Sequence, residues 1–186
     1  MQEARVEYRA EAKPIEPSRF VFVDESGSRC VMTPRYGWGP VGERVDGVYP
    51  GNWGESITLI GALGLDGVRA MMTVNGGTTG DVFHAFVEQL LLPNLRPQDV
   101  VVWDRLSSHG VLSVVELLDQ AKVKLLPLPP YSPDLNPIER CWSKIKHWLR
   151  KLQPRTRDQL DAAVAHAMKL VTGDDAYGWY ADAGYV

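Results

Sequence analysis

The sequence predicts an α/β protein in which a mixed β-sheet is covered by helices on both faces. Three observations predict this fold class: two short apolar runs of β-forming residues, a hairpin pattern, and a later strand, helix and strand that require a parallel crossover. The chain has 186 residues, of which 45% are hydrophobic and 23% are charged. This length and composition suit one folded domain and exclude the disordered and fibrous classes.

The N-terminal part is expected to contain a strand and a long loop. Residues 1–18 are polar and contain two prolines, so we interpret them as a flexible leader. The apolar run at 20–23 predicts a central strand that ends at Asp24, and turn-forming residues then lead to a return strand at 29–33. Residues 34–55 are rich in glycine and aromatic residues and have no regular period, which predicts a long inserted loop.

The rest of the chain begins with a predicted hairpin and then alternates between strands and helices. Thr79 is expected to cap the first of these helices, which must end at Pro93. The predicted elements are, in order, hairpin strands at 56–63 and 68–74, a helix from Thr79, a strand at 100–104, a helix at 109–121, a strand at 123–126, a helix starting near Ile138, and a helix starting at Thr156. Residues 173–186 are interpreted as a C-terminal tail, which leaves 19–172 as the folded domain.

Composition and charge restrict the classes of function. No apolar run approaches the roughly 20 residues that cross a bilayer, and the N-terminus has no apolar signal segment, so we expect a cytoplasmic protein. Cys30 and Cys141 are too few for a zinc site or a disulfide framework. The net charge is −3, yet seven of the 20 basic residues lie between Arg140 and Arg157 without an acid. Such a run is either a solvated helix face or a nucleic-acid-binding surface.

Acidic residues follow the two predicted central strands. An ionised carboxylate at the end of a buried strand is unfavourable unless it is paired, hydrated or bound to a metal, and the carboxyl ends of neighbouring parallel strands open onto one crevice. Asp24 and Asp104 occupy these positions, although either could simply begin a turn. A third acid, Glu139, follows Asn136 and Pro137, which suit the N-cap and first position of a helix, so Glu139 could equally complete a capping box.

These acids lie in three motifs that resemble the signatures of DDE transposases. The motifs are FVFVDESG around Asp24, VVWDRLSSH around Asp104 and PPYSPDLNPIERCWSKIK around Glu139, and 34 residues separate Asp104 from Glu139. The similarity is strongest to the mariner-related bacterial insertion-sequence branch and covers roughly residues 19–170. The resemblance implies a ribonuclease H-like fold with a five-stranded mixed sheet, and a protein associated with the bacterial nucleoid.

The resemblance also implies that Asp24, Asp104 and Glu139 are the catalytic residues and the metal ligands. Oxygen-only ligation suits Mg²⁺ or Mn²⁺, and two ions about 3.5–4 Å apart would relieve the repulsion among three carboxylates. Asp24 is expected to bind both ions, with Asp104 on one and Glu139 on the other. Water is the expected first nucleophile at the transposon end, and the freed 3′-hydroxyl then attacks target DNA.

The expected partner is double-stranded DNA, both at the transposon ends and at the target. The polar side of the helix after Ile138 is expected to contact phosphates through Arg140, Lys144, Lys146, Arg150 and Lys151. His109 and Asn136 are expected auxiliary residues of the site. The loop at 34–55 is expected either to form a homodimer or clamp DNA, or to cover an edge of the sheet.

The motifs depart from the family pattern in two ways. Arg105 stands where members often have asparagine, and the chain has no room for the N-terminal helix-turn-helix half of full-length relatives. Two other functions stay open: a ribonuclease H or junction-resolving nuclease, and a non-catalytic DNA-binding or assembly module derived from a transposase. The motif around Glu139 disfavours the first and the three acids disfavour the second. Serine catalysis through Ser107 or Ser108 is disfavoured because these residues open a predicted helix.

Overall fold

A mixed five-stranded β-sheet forms the centre of the computed structural model, which describes residues 2–34, 36–48, 50–51, 54, 56–104 and 111–186. The strands are β1 (Phe20–Arg29), β2 (Ser56–Gly64), β3 (Gly67–Asn75), β4 (Val100–Trp103) and β5 (Lys124–Pro127). Their spatial order is β3-β2-β1-β4-β5, with β1 antiparallel to β2 and parallel to β4. The predicted hairpin is β2 and β3, and the predicted parallel crossover joins β4 to β5.

Helices cover both faces of this sheet. They are α1 (Gln2–Ala12), α2 (Gly80–Phe86), α3 (Val111–Gln120), α4 (Ile138–Leu152), α5 (Arg157–Lys169) and α6 (Gly173–Asp182). After α2 the chain continues as a π-helical turn at Val87–Leu91 and a 3₁₀ turn at Leu92–Asn94. One face packs against α1, α4, α5 and α6, and the other packs against α2 and α3. The predicted fold class is therefore confirmed.

The pleat of β1 distributes its side chains between the two cores. Phe20 and Phe22 belong to the core beneath α4, whereas Val21 and Val23 belong to the core beneath α2 and α3. Because side chains alternate along a strand, Asp24 falls on the same face as Phe22, which is the face that α4 covers.

The prediction that β1 ends at Asp24 and returns at 29–33 is wrong. β1 continues to Arg29, and its outer half pairs with β2, where Gly27 lies opposite Thr58 and Ser28 opposite Ile57. Pairing with a long neighbouring strand outweighs the turn tendency of glycine and serine, because β-structure depends strongly on tertiary context. Only the parallel pairing with β4 stops at Val23.

The predicted flexible leader is also wrong, because α1 packs against the domain. Tyr8 and Ala12 are buried, and the hydroxyl oxygens of Tyr8 and Tyr185 lie 2.6 Å apart in a hydrogen bond. The Lys124 ammonium contacts the Glu11 carboxylate at 2.8 Å. The sequence does not predict that α1 packs against the domain, because the segment is polar, has two prolines nearby and has few apolar positions that would mark a buried helix face.

The predicted C-terminal tail forms α6 instead. Thr172 and Asp175 make a capping box at its start. The fully buried Tyr180 donates hydrogen bonds from its hydroxyl to the carbonyl oxygens of Phe20, at 2.8 Å, and Leu63, at 3.2 Å. These bonds attach the C-terminal segment to β1 and β2. Among the described residues, no helix combines the length and the apolar character that a membrane span needs.

Candidate active site

The three acidic residues line one cavity of about 320 Å³. Asp24 lies on β1, Asp104 follows the last residue of β4, and Glu139 is the second residue of α4. The parallel register explains the first two positions, because Val23 pairs with Trp103 and each aspartate is the next residue along the chain. We call this space the acid cavity.

The remaining wall of the acid cavity comes from the segment between β5 and α4. It consists of Leu128, Pro129, Pro130, Tyr131, Ser132, Pro133 and Asn136. Prolines fix the backbone φ angle and reduce the freedom of this segment before α4 begins. This stiff wall belongs to the same sequence motif as Glu139.

Trp142 holds the carboxylate of Asp24. Its indole Nε1 donates a hydrogen bond to Asp24 Oδ2 at 3.1 Å, and the side chain is only 2% exposed. The ring lies against Gly61, the cross-strand partner of Asp24, where a Cβ atom would come within 2.6 Å of Trp142 Cη2. Periodicity marks Trp142 only as a core residue, and its hydrogen bond to Asp24 follows from the packing of α4 on β1.

The environment of Asp24 raises its pKa to about 6. Burial is the largest cause, because removing a carboxylate from water disfavours its charged form. The negative charge of Glu139 acts in the same direction, whereas hydrogen bonds from the Glu25 backbone and from Trp142 lower the pKa. The charge of Glu139 therefore affects the pKa of Asp24, as expected for two acids that line one cavity.

The start of α4 differs from the predicted cap. Pro137 is the N-cap residue and makes no side-chain capping bond, so Glu139 is at the second helical position and forms no capping box. The backbone carbonyl of Asn136 accepts from the Glu139 N–H at 3.1 Å. The side-chain oxygen of Asn136 is buried and has no hydrogen-bond partner among the described residues. The predicted auxiliary residue, which is among those that line the acid cavity, thus has an amide oxygen without a partner among the described residues.

Arg5 of α1 fixes the cavity wall from outside. Its guanidinium donates to Ser132 Oγ at 2.8 Å and to the two carboxylate oxygens of Asp134 at 2.9 and 2.5 Å. Bidentate pairing of this kind sets orientation as well as distance. The contact keeps the pKa of Asp134 below its usual value. The role of Arg5 could not be predicted from the sequence, since nothing in a local pattern indicates a contact across more than 120 residues.

A second cavity, of about 440 Å³, lies further along β1 and α4. We call it the basic cavity, because its lining includes Arg29, Lys146 and Arg150, and no acid is among the described residues that line it. Burial is the largest cause that lowers the pKa of Lys146; the Arg150 charge also lowers it, while the charges of Glu139 and Asp24 raise it. Lys146 is therefore within electrostatic reach of two of the three acids.

The other predicted DNA-binding residues of α4 have different surroundings. Arg140 lies 3.7 Å from the Asp182 carboxylate, and Lys144 lies 2.5 Å from that of Asp175, both on α6. The ammonium of Lys151 lies 4.6 Å from the ring centroid of Trp148. The five basic residues predicted to contact DNA thus divide into two that line the basic cavity and three that contact α6 or Trp148.

Several predicted features lie outside the described residues. These are the auxiliary residue His109, the neighbouring Arg105, Ser107 and Ser108, and the loop aromatics Tyr49 and Trp53.

The described residues contain no group of three or more histidine, cysteine, aspartate or glutamate side chains already gathered to hold a metal ion. The three acids instead border the acid cavity from three elements. Their donor chemistry, together with the unpartnered amide oxygen of Asn136, is the hard oxygen set that Mg²⁺ and Mn²⁺ prefer.

Comparison with known protein families identifies the family of the chain. Residues 19–161 match the family described as DDE superfamily endonuclease, so the chain belongs to this family. Over 183 residues it is 25% identical to the transposable element Tcb1 transposase of Caenorhabditis briggsae, and the match covers 91% of this chain and 67% of that protein. The DDE resemblance of the three motifs is thereby confirmed, while the narrower bacterial branch is not distinguished.

Solved structures with the same fold include forms of the Mos1 transposase. The crystal structure of the catalytic domain of Mos1 mariner transposase matches with a TM-score of 0.71 at 14% identity, covering 97% of this chain and 84% of that one. The Mos1 paired-end complex with the left transposon end matches with a TM-score of 0.78 at 16% identity. There the match covers 97% of this chain but only 56% of the Mos1 chain, so the chain spans little more than half of that relative.

The raised pKa of Asp24 predicts that Asp24→Asn stabilises the metal-free protein at pH 8. A folded-state pKa of about 6, above the ordinary 3.8, means that the charged form is penalised in the folded protein above pH 6, and the penalty disappears as the pH falls through 6 towards 4. Asparagine can still accept from Trp142. We expect urea denaturation to show a gain of up to about 3 kcal/mol in unfolding free energy at pH 8 and only about 0.5 kcal/mol at pH 4.

Glu25→Gln is the matched control, because it removes the same charge from the next residue of β1. It should change the unfolding free energy by less than about 0.5 kcal/mol at both pH values. A destabilised Asp24→Asn variant at pH 8 would contradict the environment described for this carboxylate.

Proposed function

We propose that the chain is the catalytic part of a DDE transposase, which cuts DNA strands at transposon ends and joins the freed ends to target DNA. The observation that carries the proposal is that Asp24, Asp104 and Glu139, from three elements distant in sequence, line one cavity in a chain of the DDE superfamily endonuclease family. The relatives support it, because they are transposases, and Mos1 structures include paired-end and strand-transfer complexes. By resemblance, the activity belongs at the DNA of a bacterial nucleoid.

The proposal includes two divalent cations, Mg²⁺ or Mn²⁺, held by the three acids. Asp24 would contact both ions, Asp104 one and Glu139 the other, with Asn136 offering a further oxygen. Bound cations of this kind activate the attacking oxygen and neutralise charge on the leaving oxygen. The Mos1 paired-end complex has been solved with Mn and with Mg, which supports the choice of metal.

The chain's own residues orient the acids and the DNA strand. Trp142 keeps the Asp24 carboxylate turned towards the acid cavity, and Arg5 keeps the opposite wall in place through Ser132 and Asp134. Water attacks the phosphorus at the transposon end, the bond from phosphorus to the leaving 3′-oxygen breaks, and that oxygen takes up a proton to become a 3′-hydroxyl. In the second reaction this hydroxyl is the nucleophile towards a target phosphodiester.

Lys146 and Arg150 are proposed to bind the phosphates of the strand that reaches the acid cavity. They line a cavity without described acids on the same helix and strand as Glu139 and Asp24. Arg140 and Lys144 pair with acids of α6 instead, so the proposal assigns them to helix packing and not to DNA. Lys151 contacts Trp148 and is proposed to have at most a peripheral role.

Each of the substitutions Asp24→Asn, Asp104→Asn and Glu139→Gln is expected to abolish strand cleavage. Removing one carboxylate lowers the affinity for the cations and the stabilisation of transition-state charge, so we expect at least about a 100-fold lower rate on duplex DNA with Mg²⁺ or Mn²⁺. Denaturing gel electrophoresis of end-labelled duplexes measures the rate.

Glu25→Gln serves as the control for these three variants and should cleave like the wild type. Full activity in any one of the three variants would remove that residue from the site. Preferential cutting of RNA in an RNA–DNA hybrid would instead favour the ribonuclease function that the sequence leaves open.

The double variant Lys146→Gln, Arg150→Gln is expected to bind DNA more weakly than the wild type. Its affinity for DNA should also depend less steeply on the salt concentration. Each lost phosphate contact reduces the slope of log affinity against log salt by about 0.9, so the slope should fall by about 1.8. Fluorescence anisotropy of a labelled duplex at several salt concentrations measures this slope.

The matched control is Arg140→Gln, Lys144→Gln, which removes the same charge from the same helix on the side that faces α6. We expect its slope to equal that of the wild type. An equal decrease of the salt slope in both double variants would mean that all basic residues of α4 contribute to DNA binding through their general charge. The basic cavity would then not be a specific phosphate-binding site.

We further propose that the loop at 34–48 forms contacts with a second copy of the chain, so that the active complex is a homodimer. Four of its apolar side chains are almost fully exposed: Tyr36, Trp38, Val41 and Val48. Exposed apolar groups concentrated in one segment are typical of protein interfaces. The DNA-clamping and edge-covering roles expected for this loop are the alternatives that a test must separate.

Replacing residues 36–48 with a short glycine-serine linker should therefore convert a DNA-bound dimer into a monomer. Sedimentation of the protein with and without duplex DNA measures the assembly. An unchanged dimer with weaker DNA affinity would favour the clamping role, and no change in either quantity would leave the loop as cover for the sheet.

A further inference from the structure

Tyr131 is an exposed aromatic residue at the rim of the acid cavity. It lies between β5 and α4 and lines the cavity together with the three acids. Its side chain is 87% exposed, and its hydroxyl has no hydrogen-bond partner among the described residues. The ring therefore contributes little to packing in the domain, although it occupies a prominent position beside the site.

The backbone at Tyr131 has an unfavourable conformation for this residue type. Its φ angle is +55°, in the left-handed region that glycine and asparagine adopt most readily. The other described non-glycine residues with positive φ are all polar or charged: Gln98, Lys122 and Gln153. An aromatic residue in this conformation costs free energy that its own exposed side chain does not recover by packing.

The surrounding contacts hold the turn in this conformation. Arg5 donates to Ser132, the next residue, and Ser132 Oγ donates to the Pro130 carbonyl oxygen at 3.3 Å. Prolines at 130 and 133 restrict the chain on both sides. The fold thus presents the tyrosine ring to solvent at a fixed place, and strain retained in this way is concentrated at functional sites.

The position of the Tyr131 ring at the rim of the acid cavity indicates which part of a DNA substrate it would contact. In the proposed function a phosphodiester lies at the three carboxylates, and Lys146 and Arg150 attract the backbone of the same strand. The base of a nucleotide lies next to its own phosphate, so a flat aromatic surface at the rim meets a base. A base inside a duplex already stacks on its neighbours, and it must leave the helix before its face is available.

We propose that Tyr131 stacks on an unpaired nucleobase next to the phosphate that is cut, and so holds the DNA end open at the site. The inference rests on the proposed function. Stacking on an aromatic side chain tolerates any base sequence, because every base has a π-face. Tyr131 is then a substrate-contacting residue that contributes more to the binding of opened DNA ends than to the binding of intact duplex.

The test uses a duplex with a frayed end that carries 2-aminopurine at the first unpaired position, bound in Ca²⁺. Stacking quenches 2-aminopurine fluorescence. Wild type and Tyr131→Phe are expected to quench it strongly, whereas Tyr131→Ala should lose the quenching and bind the frayed end about tenfold more weakly. The matched control is Tyr177→Ala, which removes an exposed tyrosine from α6 and should quench like the wild type.

A stability measurement separates this role from a structural one. Tyr131→Gly removes the ring and relieves the left-handed strain, so its Tm should equal or exceed that of the wild type while the quenching is lost. A Tm several degrees lower would identify the ring as a packing residue and overturn the proposal. The proposal would also be overturned if Tyr131→Ala quenched 2-aminopurine as strongly as the wild type does. The same holds if Tyr131→Ala changed only the oligomeric state of the protein and left the quenching unchanged.

The same samples distinguish this inference from the proposed function. If the wild type binds and cleaves duplex DNA but Tyr131→Ala does so with unchanged quenching and affinity, only the stacking role fails. If the wild type neither binds nor cleaves DNA with Mg²⁺ or Mn²⁺, the proposed function fails and the stacking role fails with it.

Discussion

The packing of α4 against β1 is the contact on which the arrangement of the acids depends. Trp142 fits against Gly61, where even a methyl group would collide with its ring, and donates its indole N–H to Asp24. Glu139 precedes Trp142 by one turn of the same helix, so one helix–sheet contact positions two of the three acids. The parallel register of β1 and β4 supplies Asp104 as the third.

This arrangement has an electrostatic cost that the surroundings offset only in part. Burial and the charge of Glu139 raise the pKa of Asp24, and the hydrogen bond from Trp142 lowers it without restoring the ordinary value. Structural acids usually gain partners that lower their pKa, as Asp134 does with Arg5. An acid left with a raised pKa at a cavity shared with two others is typical of a site that gains its compensation from a bound cation.

The basic residues of α4 show why charge must be read in three dimensions. The sequence presents them as a single run, and the helix separates them into two surfaces. Lys146 and Arg150 line the basic cavity, whereas Arg140 and Lys144 meet the acids of α6. One helix thereby connects the acids, the proposed phosphate contacts and the C-terminal helix that attaches to the sheet through Tyr180.

The sequence predicts the sheet and most helices because their signals are local, as with Thr79 at the start of α2. Prediction from the sequence fails where a contact with a distant part of the chain determines the local structure. β1 extends past Gly27 because β2 pairs with it, and α1 docks through Arg5 and Tyr8 rather than through an apolar stripe. The capping box of Thr172 and Asp175 is an exception, because it is a local signal for the start of α6.

The candidate site follows the same division between local and distant signals. The three acids could be predicted from their motifs, and the structure brings them to one cavity. Trp142 as a partner of Asp24, and the unusual backbone of Tyr131, depend on tertiary geometry that no spacing encodes.

The three acids are proposed to bind divalent cations jointly. Anomalous X-ray scattering from a crystal of the chain soaked in Mn²⁺ tests this proposal most directly. Manganese peaks are expected inside the acid cavity, with Asp24 in contact with every peak and Asp104 and Glu139 each in contact with one. Manganese found elsewhere, or a cavity that contains none at saturating concentration, would contradict it.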